Sequence, residues 1–372
     1  MSTKPKKHLS INERRWKKFK SLKRGYFSLL ILLFTYLVSF LLPLLVSDKA
    51  IAVHYKDETS FPAIRDFASS LIPFDNLKPS TFRSGTEFGQ VGNDGEADYR
   101  RLDLQYEAAN GDDWVFMPIY PFGPNEDIGV NGNEKFIAPF TADANGFTRL
   151  FGTDDRGRDV LARMSYGFGV SISFALLVAI LEYLFAIPLG AVMGYFGGWL
   201  DVVLQRFIEI WQSLPFLFLI IIVVSIIGPS FMLLVLFLAL FAWIGIAIQM
   251  RAQFYREKTK DYVAAAVSIG VPTWKILLKH IFPNTLVPII TYFPFAVVAS
   301  IAALVSLDFL GFGLAPPTPS WGQMIGVGLA NLTKYWLVLV PMGAMFVTLS
   351  LVVFIGEGIR EAFDPKVFSR LR

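Results

Sequence analysis

Six windows of about 20 residues along the chain are nearly free of charge, at roughly 26–46, 170–194, 207–228, 231–250, 286–307 and 337–356. Each is long enough to cross a bilayer as a helix, so the pattern predicts an all-α polytopic membrane protein with six transmembrane helices. Residues 47–168 break that pattern between the first two windows. They are rich in Asp, Gly, Pro and aromatic residues, and a helical period survives only near 97–108. An irregular insertion with a few strands is expected there. Its aromatics Tyr99, Tyr106, Trp114, Phe116, Tyr120 and Phe122 are expected to form a small core.

Charge sorts the loops between sides. Ten Lys or Arg stand in the first 25 residues against Glu13 alone, which places the N-terminus in the cytoplasm. An even number of spans then puts the C-terminus and the loop at 252–285 on the same side. That loop carries Arg256, Lys258, Lys260, Lys275 and Lys279, while residues 47–168 hold twelve basic against twenty acidic side chains. The expected organisation is a basic cytoplasmic N-terminus (1–25), a first transmembrane helix (26–46), an extracytoplasmic segment (47–168), a five-helix core (169–357) and a cytoplasmic tail (358–372).

Composition narrows the chemistry. Of 372 residues, 54% are hydrophobic and 17% charged, with 35 Phe and no Cys, so disulfides and thiolate metal sites are excluded. His8, His54 and His280 have no spaced partners for a metal. The basic residues are divided by membrane side rather than spread as a nucleic-acid face. No GxxxxGK[ST] phosphate loop occurs, so ATP hydrolysis would need another chain. Glu182 is the one acid near the middle of an apolar span and is a functional candidate by default. Ser225, Gln249, Thr291, Ser300 and Ser306 are polar positions that can line a path or pack helices.

Residues 261–284, DYVAAAVSIGVPTWKILLKHIFPN, form a charged amphipathic stretch between two apolar runs. Helix formers lead to Gly270, which can take the left-handed conformation, Pro272 blocks continuation, and Thr273 can cap a second short helix. The expected outcome is a helical hairpin pressing Trp274, Ile276, Leu277 and Ile281 on a partner. The stretch resembles the cytoplasmic EAA loop of binding-protein-dependent ABC importer permeases, with Ala265, Ala266, Gly270, His280, Pro283 and Asn284 in register and Ala264 where the family has Glu.

Other motifs resemble the dipeptide and oligopeptide branch of those permeases. They are FGTDDRGRDVLARMSYG at 151–167, GYFGGWLDVVLQR at 194–206, LDFLGFGLAPPTPSWGQM at 307–324 and GEGIREAFDP at 356–365. In the first, Asp154 or Asp155 can cap a helix starting near Arg156, and Arg158, Asp159 and Arg163 can pair or meet headgroups. Adjacent Gly197 and Gly198 permit a tight reversal, and Pro215 is expected to kink the third span. Trp321 is expected near the interface.

The resemblance implies the ABC importer permease fold, in the bacterial inner membrane, with both termini cytoplasmic. It implies a homologous second permease, two ATPase subunits or one fused double ATPase holding ATP and Mg, and an extracytoplasmic peptide-binding protein. The loop at 252–285 would couple to the ATPase through Ala264, Ala265, Ala266, Gly270, Trp274, His280 and Pro283. Asp154, Arg158, Asp159, Arg163, Gly311, Gly313 and Trp321 become candidates for the outer mouth. The long insertion and the start of the chain are most like the microcin C type permease. The rival reading is a membrane-anchored receptor or enzyme acting through residues 47–168.

Overall fold

A computed structural model describes residues 11–70, 83–91, 93, 95–109, 111–127, 135–143 and 146–363. The first ten basic-rich residues and the end of the tail from Asp364 lie outside them.

The chain forms two compact units, one built from residues up to 34, 171–315 and 345 onward, the other from 35–170 and 316–344. In chain order the helices begin with α1 (Ile11–Ser21), α2 (Lys23–Ser39) and α3 (Leu42–Leu45). The insertion contributes β1 (Ala52–Tyr55), β2 (Glu58–Ser60), α4 (Pro62–Ser70), α5 (Tyr99–Ala109) and β3 (Trp114–Phe116), then the short pair β4 (Thr141–Ala142) and β5 (Thr148–Arg149). The apolar part contributes α6 (Val160–Phe196), α7 (Gly198–Ser213), α8 (Phe216–Ile227), α9 (Phe231–Glu257), α10 (Asp261–Ser268), α11 (Thr273–Lys275), α12 (Phe282–Phe309), α13 (Trp321–Ala330) and α14 (Trp336–Phe363).

Among the described residues, α6, α9, the run Thr273–Phe309 and α14 are each long and apolar enough to cross a membrane. Two bent pairs, α1 with α2 at 94° and α7 with α8 at 69°, raise the number to as many as six if each pair is one span. The predicted first span, 26–46, is shorter than expected. Its helix stops at Ser39, because Pro43 cannot sit inside a helix and instead occupies the first turn of α3. The predicted third span, 207–228, is broken: α7 ends at Ser213 and Pro215 precedes α8, so the proline separates two helices rather than kinking one. The other four windows lengthen at one or both ends, as amphipathic turns extend the apolar cores.

The insertion is more ordered than its composition implied. β1 pairs antiparallel with β2 and with β3, with Val53 opposite Ser60 and Val115. Behind this sheet, Ala50, Val53, Phe88, Tyr99, Leu102 and Tyr106 form a buried core. The expected aromatic core holds for Tyr99, Tyr106 and Phe122, but Trp114 and Phe116 are exposed, since they alternate outward along the edge strand β3. His54 bonds Thr59 and stacks on Trp114.

Close helix approach organises the other unit. Replacing Gly194 by any larger residue would put a Cβ 2.4 Å from the Arg251 carbonyl, and at Gly190 2.4 Å from that of Ala247, so small residues let α6 and α9 meet backbone to backbone. Ser225, Thr291, Ser300 and Ser306 spend their hydroxyls on carbonyls of their own helices.

Candidate functional site

α10 carries Ala264, Ala265 and Ala266, with the first two exposed and Ala266 buried. At its end Gly270 has φ +78°, its N–H donating to Val267 O at 2.9 Å, and Val271 N–H closes back on Ala266 O at 3.0 Å. That is the bonding of a left-handed helix terminus, as expected. Beyond Gly270 the chain departs from the expected hairpin of two short helices. α11 runs without a break into a π-helical turn, Ile276–Ile281, and on into α12. Pro272, not Thr273, holds the capping position, and no side chain caps it. The wide turn has a local cause. Pro283 has no N–H and its ring crowds the preceding turn, so Phe282 N–H reaches back five residues to Leu277 O, while Asn284 Nδ2 takes the His280 carbonyl at 2.9 Å.

The apolar ridge is also placed differently. Ile276 and Ile281 are buried with Met250, Phe254, Val263 and Ala266, so they hold the loop to α9 and α10 and are not offered outward. The side chains left facing out are Ile269 (79% exposed), Trp274 (56%) and Leu278 (60%), along with Val267. His280 is half-buried and Pro283 exposed. A bidentate ion pair stiffens the base of this region: Arg251 Nε and Nη2 each lie 2.6 Å from the Asp201 carboxylate, joining α9 to α7. Lys258 Nζ donates to Tyr195 O beside it. Fifty residues separate the two charges, so nothing local in the sequence pairs them.

In the other unit, the motif at 151–167 is a buried ionic turn and not an interfacial helix. Asp154 Oδ1 accepts from the N–H groups of Arg156 and Arg158 at 2.9 and 3.0 Å, and its Oδ2 pairs with Arg158 Nη2 at 2.7 Å. Arg163 Nε stands 3.7 Å from the same oxygen, and its Nη1 donates to Pro124 O. The helix cap is Asp159, whose Oδ1 accepts from Ala162 N–H at 2.8 Å, so α6 starts at Val160 rather than near Arg156. Asp159 also accepts from Tyr120 and faces Arg149, which is fully buried between Asp143 and Asp159 over the Phe122 ring. Burial pushes the Asp159 carboxyl up, against the hydrogen bonds and Arg149 that pull it down. Trp321 is only 1% exposed, its Nε1 donating to Met164 O, so it is an internal strut and not an interface anchor.

Gly311 and Gly313 belong to the first unit and serve the end of α12. Gly311 takes φ +83°, and Phe312 N–H returns to Leu307 O. At Gly313 a Cβ would stand 1.8 Å from Asp308 Oδ1, which accepts from Leu314 N–H at 2.6 Å. Asp308 is buried, and its signal was an acid six residues before the bonded amide.

Residues 186–369 match the family described as binding-protein-dependent transport system inner membrane component. The peptidoglycan transport system permease protein YejE of Agrobacterium fabrum is 36% identical over 359 residues, covering 95% of this chain and 93% of that protein. The chain belongs to this family. The inner membrane ABC transporter permease protein YejE of Escherichia coli K12 is also 36% identical, covering 95% of the permease and 97% of its own length. The oligopeptide transport system permease protein OppC of Haemophilus influenzae is 37% identical over 254 residues, 68% of this chain and 80% of that one.

The permease is thus a multi-pass inner-membrane subunit of an ABC importer, and ATP hydrolysis belongs to separate ATPase subunits. Glu182 lies on α6 at 6% exposure, with no ion-pair partner among the described residues. Next to it, Tyr183 donates to Ile289 O on α12.

Proposed function

We propose that this permease carries peptides or peptide-bearing molecules, paired with a homologous second permease and fed by an extracytoplasmic binding protein. The names of its relatives, peptidoglycan, oligopeptide and dipeptide transport proteins, support that cargo class. The resemblance to a microcin C type permease falls within it. In this reading the chain has six spans with both termini cytoplasmic, each bent pair counting as one.

ATP and Mg sit on two ATPase subunits or one fused double ATPase. Closure of that ATPase pushes the loop around Gly270, and the spans rock to admit cargo. The observation that carries the reading is the exposed apolar face of Ile269, Trp274 and Leu278 at a left-handed break between α9 and α12. Burying such a face stabilises a complex by about 25 cal/mol per Å2 of apolar surface, and charge there is strongly unfavourable. Leu278→Asp should abolish co-purification of the ATPase subunit while the permease still reaches the membrane. Full ATPase retention in both Leu278→Asp and Ile269→Asp would overturn the docking role. Asp154, Arg158, Asp159, Arg163 and Trp321 then form a rigid frame at the outer mouth, with Gly311 and Gly313 shaping the end of α12.

A further inference from the structure

The first helix is an amphipath set across the start of the second. α1 holds Arg14, Arg15, Lys17, Lys18 and Lys20, Lys23 and Arg24 come directly after it, and Glu13 is its only acid. With α2 crossing the bilayer, the 94° bend leaves α1 running along the surface. A basic polar face with an aromatic apolar face is the composition of an interfacial helix.

Several contacts fix the elbow. Phe19 is buried, and a Cβ at Gly25 would lie 2.9 Å from Phe354 O, so α2 and α14 touch through their backbones. Lys18 Nζ pairs with Glu361 at 3.2 Å, and the Arg15 guanidinium sits 4.8 Å over the Phe363 ring. Beneath the elbow is a cavity of about 410 Å3. Its walls include Leu29 of α2, Leu286 and Ile290 from the start of α12, and Ile359 from the end of α14, with Arg15 and Trp16 on the α1 side.

A peptide cargo would leave this wall's hydrocarbon surface unmatched. A neutral acyl chain would leave the Arg15 guanidinium in the cavity wall without an anion. We infer that the elbow binds an anionic phospholipid, one acyl chain lying against Leu29, Leu286, Ile290 and Ile359 and the phosphate on Arg15. The exposed Lys17, Lys20, Lys23 and Arg24 add a non-specific attraction to the anionic leaflet, which is strongest on the cytoplasmic side. The inference rests on the reading of α2 as a span with its N-terminal end inside.

Native mass spectrometry of the assembled importer tests it, with phosphatidylglycerol or phosphatidylcholine added to the detergent-purified complex. Wild type should retain phosphatidylglycerol about tenfold over phosphatidylcholine. Arg15→Gln should lower phosphatidylglycerol retention about fivefold and leave phosphatidylcholine unchanged. Ile290→Trp, which fills the cavity, should remove both lipids; Leu286→Phe replaces it if that variant does not assemble. Lys17→Gln, on the same helix but outside the cavity wall, should stay within about twofold of wild type.

Equal retention of the two lipids overturns the inference, as does retention indifferent to the filled cavity or a Lys17→Gln loss as large as that of Arg15→Gln. Displacement by inorganic phosphate would make this a free-phosphate site, and a partner polypeptide cross-linked into the cavity would make it a protein interface; either also overturns it. Labelling of Ser21→Cys by a membrane-impermeant maleimide from outside would instead overturn the orientation, leaving the lipid result to stand by itself.

Discussion

Replacing Gly270 separates backbone conformation from packing more cleanly than any other change in the loop. Among the described residues nothing lies within 4 Å of a Cβ built there, so a side chain meets no clash, and the penalty comes from φ +78°. A non-glycine residue in that region costs about 1–2 kcal/mol, a β-branched one more, and Asn less because it visits the left-handed region readily. The expected order of function is Gly, Asn, Ala, then Val.

A penalty of 1–2 kcal/mol changes the population of the native turn by about 5- to 30-fold. In proteoliposomes with the partner subunits and loaded binding protein, Gly270→Ala should lower coupled ATP turnover and uptake by roughly that factor, and Gly270→Val by more. Membrane insertion should be unchanged. Wild-type uptake in both variants would refute the hinge role. An Asn variant as impaired as the Val variant would refute the backbone argument specifically.

Arg149→Met should speed hydrogen exchange in the unit that holds residues 35–170, since the buried Asp143 and Asp159 lose the cation they share, at a cost of about 3–5 kcal/mol; adding Asp159→Asn should restore part of the protection. Gly194→Val should cut the yield of folded permease, because its Cβ would meet the Arg251 carbonyl, whereas Gly343→Val, with nothing within 4 Å, should leave yield unchanged. Burial, with Glu126 nearby, pushes the Asp48 carboxyl up to about 6 from 3.8. The folded state holds that proton more tightly than the unfolded chain, so its stabilising contribution is complete below about pH 4 and lost as pH rises through about 6. At about 1.4 kcal/mol per pH unit the full loss is about 3 kcal/mol, of which roughly half falls between pH 5 and pH 7 and is read as faster exchange of the β1 amides at pH 7 than at pH 5 after correction for intrinsic rates. Asp48→Asn should flatten that difference.

The long apolar spans, the left-handed Gly270 and the helix near residues 99–109 were legible because each rests on a local cause: hydrophobic run length, a glycine before a proline, a helical period. What stayed hidden depended on distant partners. Trp321 reads as an interface residue until its Nε1 is found on Met164 O, 157 residues away. Asp159 reads as a surface charge until Tyr120 and Arg149 are placed beside it. Ile276 and Ile281 look like an outward ridge because the helical period shows which side chains share a face and not which neighbour covers it. The π turn was concealed too, since the proline that causes it is also tolerated in the first turn of an ordinary helix.

The two families of motif turn out to be physical opposites. At the 151–167 motif and the neighbouring Arg149, charge is inside: Asp154, Asp159, Arg149 and Arg163 are all at most 2% exposed and answer one another. At the Gly270 loop, hydrocarbon is outside: Ile269, Trp274 and Leu278 face away from the core that Ile276 and Ile281 fill. A buried ionic network specifies one geometry, because each charge left without its partner is costly, so the 151–167 motif resists alternative arrangements. An exposed apolar face on a break with empty space around its glycine does the reverse, remaining incomplete until another surface covers it. Under the proposed function, a subunit that receives mechanical work from a separate ATPase needs a loop of the second kind on a braced base. In the proposed coupling, Asp201 and Arg251 clamp α7 to α9 at its foot, so that force applied at Ile269 and Leu278 would pass into α12 instead of being absorbed in the loop.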